Sequence, residues 1–246
     1  VAKPAANEIW YTTTDGEMAN LRSHINPQPI SNIYDDEKGV WIMTFSNDLE
    51  RVPHSEGVFE RERCSAIKTI QLPDGIKSIS ELSVTALSSL ESINIPEGVT
   101  LIGRYAFSGC SSLKSLTIPS SVTTIETSYT FENCAGKLIV NCNLPNYTSS
   151  QNPFESNKFT EVYFGNGVTE IGDYTFSDSA NLNYVHIPEG VTRIGDYAFD
   201  GCSRLTLTLP STIKEIGNYA LCYTVYCKAT TPPTMGYNEG PTVVYV

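Results

Sequence analysis

Apolar and polar residues recur along this chain in a fixed order that returns every 22 or 23 residues. In Leu113-Lys114-Ser115-Leu116-Thr117-Ile118 the first, fourth and sixth positions are apolar and face a core. Pro119 then ends the strand, because it has no N–H to offer a ladder. Val122 and Ile125 belong to a second short strand, and Tyr105-Ala106-Phe107 with Ser108-Gly109 predicts a tight helical or turn corner. The unit Ile95–Thr117 comes back nearly letter for letter from Ile187. Pro73, Pro96 and Pro119 are spaced by 23, Gly165 stands 46 further on, Pro188 follows at 23 and Pro210 at 22. A turn therefore hides between Pro119 and Gly165, with Asn143 near the proline position and Phe154 in the aromatic slot. The pattern gives eight turns, of which Asn141 to Asn157 is the most degraded. No single turn of this size buries its own apolar face, so stacking must supply the core. Phe107, Phe131, Phe154, Phe176 and Phe199 are expected to form a ladder of rings inside the coil.

The ends break the pattern. Residues 1–40 do not repeat; Ile9 to Thr13 is rich in strand formers and stops at Asp15-Gly16, a turn signal. This segment is read as an N-terminal cap, since the first turn of a solenoid would otherwise expose its core. The repeats open near Val40 with the strand run Val40–Phe45 and occupy residues 41–228. Residues 229–246 form a C-terminal cap or a truncated strand, with Val243 to Val246 apolar and uncovered. A first residue other than Met fits a trimmed export signal or a cut fragment.

The string L-x-x-L-x-I-P-x-x-V-x-x-I-G-x-x-A-F-x-x-C, seen best at Ile95–Thr117 and Ile187–Leu209, resembles the leucine-rich repeats of the BspA-like family. The likeness covers about residues 45 to 228. The stretches Asn7-Glu8-Ile9-Trp10-Tyr11-Thr12 and Tyr226 to Pro233 also resemble such proteins from Bacteroides-type bacteria. The resemblance implies a mainly β solenoid, a right-handed leucine-rich-repeat superhelix of about eight turns, in a secreted or cell-surface protein that binds host or matrix proteins. The family has no shared catalytic residues to carry over.

Composition narrows the partners. A net charge of −11 with scattered Lys and Arg disfavours nucleic acid and anionic membrane surfaces. No run of 18 apolar residues is present, so no membrane span is expected. Cys64, Cys110, Cys134, Cys202 and Cys222 fall at one repeat position, three residues before a strand. Cys110 and Cys134 sit one turn apart, a placement open to a disulfide, but Ser179 and Leu87 fill the same slot elsewhere, so the residue acts as a small apolar closure and the thiols should be unreactive. His24, His54 and His186 form no H-E-x-x-H, and two S-x-x-K matches, at Ser65 and Ser111, are products of the periodicity. Asp35-Asp36-Glu37 before Gly39 lacks a calcium-loop spacing and reads as a solvated turn, and Asn146-Tyr147-Thr148 is a single chance sequon. No metal or cofactor is expected.

The outward strand positions are the ones the repeat leaves free. The position before the last core residue reads Gln71, Asn94, Thr117, Asn141, Tyr163, His186, Thr208, and the one two earlier reads Thr69, Ser92, Ser115, Ile139, Glu161, Tyr184. Small polar residues thus give way to Tyr163, Tyr184 and His186, with Glu161 nearby and Tyr226 beyond. Strands about 4.8 Å apart put such neighbours in contact, and exposed aromatics are natural anchors for a protein or glycan. Non-enzymatic adhesion is the leading function, ahead of a spacer in a larger surface protein, with a glycan hydrolase using Glu161 third.

Overall fold

The computed structural model describes residues 2–53, 58–127, 129–238 and 242–246. Three strands come first: β1 (Glu8–Thr13), β2 (Pro29–Asp35) and β3 (Val40–Phe45). The run that opens the repeats in the sequence, β3, pairs antiparallel with both β1 and β2, so it is laid down against the non-repeating segment. Met43 and Phe45 of β3 are buried. In turn β1 runs antiparallel to β5 (Ile67–Gln71), matching Trp10 with Gln71 and Tyr11 with Ile70. The first strand of the coil is thereby covered along its free edge.

From there the chain is a β-solenoid of about eight turns with almost no helix; α1 (Arg61–Cys64) is a single short turn. Strands of the front ladder are β5, β7 (Ser92–Ile93), β9 (Ser115–Ile118), β11 (Ala135–Val140), β12 (Lys158–Phe164), β14 (Tyr184–His186), β16 (Thr206–Leu209), β18 (Thr224–Cys227) and β20 (Thr242–Tyr245). The back ladder holds β4 (Arg51–Val52), β6 (Ser78–Ile79), β8 (Leu101–Ile102), β10 (Thr124–Ile125), β13 (Glu170–Ile171), β15 (Arg193–Ile194), β17 (Glu215–Ile216) and β19 (Thr234–Met235). Where neighbouring turns pair, they pair in parallel in both ladders. Apart from α1, the corners between them are turns among the described residues.

The ring ladder forms as the spacing predicts. Phe107, Phe131, Phe154, Phe176 and Phe199 are fully buried, with successive centroids 5.7, 5.0, 4.9 and 6.1 Å apart. A second stack follows the corners, where Tyr174, Tyr197 and Tyr219 lie at 4.7 and 5.1 Å. These tyrosines sit at φ of 51 to 55°, a left-handed conformation that costs a residue with a Cβ about 1–2 kcal/mol. It turns their N–H groups onto the next turn: Tyr174 donates to the Asp196 carbonyl and Tyr197 to that of Asn218, both at 2.8 Å. Side chains satisfy the remaining corner donors, since Asp173 accepts from the Asp196 N–H (2.9 Å) and Asp196 from the Asn218 N–H (2.7 Å).

The cysteines close the turns. All seven are free and buried. Cys110, Cys134 and Cys202 point their thiols at the carbonyls of Val84, Phe107 and Phe176 in the preceding turn, at 3.1, 3.0 and 3.2 Å. The slot is therefore a small apolar plug with a weak donor on it.

Candidate functional site

Strand β12 is the longest of the front ladder inside the coil, and its outward residues set the site. Buried Phe159, Val162 and Phe164 fix which way it faces, leaving Glu161 and Tyr163 on the outer side. Parallel pairing with β14 sets Glu161 opposite Tyr184 and Tyr163 opposite His186. The Tyr163 ring lies 5.3 Å from that of Tyr184 and 6.1 Å from His186. Its hydroxyl donates to Glu161 Oε2 at 3.0 Å, and this hydrogen bond, with lesser help from burial and the Glu161 charge, raises the Tyr163 pKa above its ordinary value. Tyr184 is 45% exposed. Four of the five residues singled out in the sequence are thus brought together.

Tyr226 is not among them. It lies on β18 opposite Thr208, so the whole of β16 stands between it and His186. It is exposed on the same side of the ladder.

A residue that the repeat count concealed completes the cluster. The strand before β12 places Lys137 opposite Glu161 and Ile139 opposite Tyr163. The outward pair of this turn is therefore Lys137 and Ile139, and the assignment of Ile139 and Asn141 to those two rows is corrected by one step of the pleat. The position equivalent to Pro119 is Asn141, which follows at 22 residues and precedes Gly165 by 24, so Asn143 lies beyond it. Leu138-Ile139-Val140 is apolar without alternation and hides which residues face out. Lys137 Nζ sits 3.6 Å from the centre of the Tyr163 ring, a cation–π contact. A basic residue two positions before the strand's last outward one was the signal available, once the register was right.

Beside the cluster the front ladder opens. Strands β14 and β16 belong to adjacent turns, yet among the described residues they share no strand pairing. Over this seam lies an open groove with a volume of about 640 Å³, lined by Tyr184 and His186 from one turn and by Thr206 and Thr208 from the next. Glu189 and Lys228 stand at its end. Two backbone-anchored contacts fix Glu189: the Ser211 hydroxyl and N–H both donate to its carboxylate, at 2.8 and 3.2 Å.

The other candidates gather nothing. Asp35 accepts hydrogen bonds from the Lys38 N–H (2.9 Å) and side chain, as a solvated turn does. Among the described residues no group of three His, Cys, Asp or Glu side chains is placed to hold a metal ion. His54 lies outside the described residues, and His24 contacts Ser23. No helix among the described residues is long and apolar enough to cross a membrane.

A family model for the BspA-type leucine-rich repeat region matches residues 44–152 and 147–237, with six copies. No curated protein matches the chain. Among solved structures, the chain is similar to a leucine-rich cell surface protein from Faecalibacterium prausnitzii A2-165 (24% identity, TM-score 0.42), over 89% of this chain and 57% of that one. It is also similar to a leucine-rich repeat protein from T. pallidum (19% identity, TM-score 0.41; 84% and 82% covered). A third is a leucine-rich repeat protein from Bacteroides ovatus ATCC 8483 (14% identity, TM-score 0.33; 100% of both chains). The chain thus spans little more than half the length of the Faecalibacterium protein.

Proposed function

The chain belongs to the BspA-type leucine-rich repeat family, and from that premise we propose that it is a non-enzymatic recognition module. It works outside the cell, secreted or at the cell surface, and holds a host or matrix protein or a glycan on the outward face of the front ladder. In this reading residues 1–40 cap the solenoid and residues 229–246 close it. The observation that carries the reading is one contiguous aromatic cluster, Tyr163 with Tyr184 and His186, on a face whose earlier turns present Ser92, Ser115 and Thr117. Core packing does not require large rings there, since they point away from it. Exposed Tyr gives contact area at a low entropic cost, and such residues dominate binding energy where they are found.

The test is capture of immobilised extracellular-matrix proteins and glycans by the chain and by a Tyr163→Ser, Tyr184→Ser double variant. Capture should fall at least tenfold while the melting temperature shifts by only a few degrees, because cross-strand pairs on an exposed face contribute about 0.2–1 kcal/mol each. Capture that is undiminished in the variant rejects the site, and absence of capture by the parent chain leaves the spacer reading.

A further inference from the structure

The groove over the seam between β14 and β16 coincides with a change in the repeat. Leu182-Asn183-Tyr184-Val185 carries two residues between its core positions, and the equivalent Leu205-Thr206-Leu207 carries only one. The strand entry is thus one residue shorter at the level where β14 and β16 share no strand pairing. The back ladder at the same level is intact, β15 pairing with β17 through Arg193 and Glu215. The opening is therefore confined to the outward face, and the coil stays closed behind it.

We propose that this groove is the ligand seat of the module and that it takes a ring of a neutral carbohydrate, an inference that rests on the recognition reading above and names its ligand. A volume of about 640 Å³ falls within the roughly 300–1,000 Å³ of small-molecule sites, whereas a protein partner is met by a broader and flatter patch. The two walls differ in chemistry. Tyr163 is already engaged by Lys137, Glu161 and Tyr184, so Tyr184 is the ring left with a face to offer, and it lines the groove. The opposite wall is the two exposed threonines, whose hydroxyls donate and accept. A pyranose matches that division, with C–H bonds on one face to lie against an aromatic ring and hydroxyls around its rim. His186, Glu189 and Lys228 supply the remaining hydrogen-bonding groups. Tyr226, on the far side of Thr208, is placed to meet a second sugar unit. Neutral sugars are selected because the lining sets one carboxylate, Glu189, against one ammonium, Lys228, so no uncompensated positive charge awaits an acidic sugar, and the chain carries a net charge of −11.

The experiment uses the full chain on a printed array of neutral, sialylated and sulfated oligosaccharides, with deglycosylated extracellular-matrix proteins as a parallel arm. Two groove variants accompany it: Thr208→Phe, which fills the space, and Thr206→Val with Thr208→Val, which removes the hydroxyls at nearly constant shape. The expected result is capture of neutral oligosaccharides, lost at least tenfold in Thr208→Phe and severalfold in the double variant, at unchanged melting temperatures. A preference for acidic glycans overturns the inference, and so does neutral-glycan binding that both groove variants leave intact. Capture of the deglycosylated proteins alone, dependent on Tyr163 and Tyr184, sinks the carbohydrate seat while the recognition reading stands. Silence in both arms ends both.

Discussion

The thiols show how far one side chain's chemistry is set by the turns around it. Cys134 is fully buried and donates to Phe107 of the previous turn, and burial pushes its pKa well up. Burial likewise raises Cys202 and Cys222, and it lifts Cys142 from 9.0 to about 11. The folded state therefore holds these protons more tightly than the unfolded chain does. Stability from this source is whole below pH 9, where both states keep the proton. It declines as pH rises, because only the unfolded chain ionises until the folded pKa is reached. For Cys142 the window runs from pH 9 to about 11. Urea unfolding followed across that range should show a falling midpoint, and Cys142→Ala should flatten the fall by up to about 2 kcal/mol at its upper end. A variant that declines as steeply as the parent would show that this thiol is not linked to folding. The same burial predicts slow labelling of the thiols until denaturant is added.

At the scale of the strand, β11 carries the tightest constraint. Gly136 has φ of +83°, and a Cβ there would lie 2.1 Å from the Leu113 carbonyl oxygen and 2.7 Å from that of Lys114. Both obstacles are backbone of the neighbouring turn, so no side chain can move aside. Gly136→Ala should cost at least about 2 kcal/mol in urea unfolding, combining left-handed strain with a displaced turn. Because Lys137 is the next residue, its contact with Tyr163 should loosen too, and ligand capture should weaken more than stability alone accounts for. A loss below 1 kcal/mol would mean that the turns can slide apart here. This strand is also where the sequence was hardest to read. The repeats, the proline strand ends, the phenylalanine ladder and the Tyr163–Tyr184–His186 cluster were legible because each residue type does one job at one position. β11 was not, because Leu138, Ile139 and Val140 are all apolar and the 46 residues from Pro119 to Gly165 divide unevenly. Lys137 was lost with the register. The antiparallel set of β1, β2 and β3 was illegible for another reason: strand propensity says nothing about which partner a strand takes.

For the whole molecule, what matters is where the two ladders are interrupted. The front ladder breaks between β7 and β9 and again between β14 and β16, while the back ladder breaks between β10 and β13. These seams are staggered. Where β14 and β16 part, β15 and β17 remain paired, and where the back ladder lapses, β9, β11 and β12 run on without a gap. Every turn is thus tied to the next by at least one ladder, and in a solenoid, whose stability is a sum of repeats and nearest-neighbour interfaces, that suffices for cooperative unfolding. The groove can be held open at little cost only because the back ladder behind it is unbroken. Glu215→Pro tests this. It deletes the N–H that Glu215 gives to the Thr192 carbonyl at 3.1 Å, and it removes the carboxylate that meets Arg193 at 3.3 Å. The level would then have neither ladder complete, held by the bonds that Lys214 gives to Thr192, Gly217 to Ile194 and Tyr197 to Asn218, each at 2.8 Å. Native-state hydrogen exchange should find the residues after Leu205 opening as a unit, at a free energy several kcal/mol below that of the rest, whereas the parent opens this region with its neighbours. If exchange in the variant instead accelerates evenly from end to end, the turns are coupled through the phenylalanine core and not through their ladders, and the open groove needs a different support.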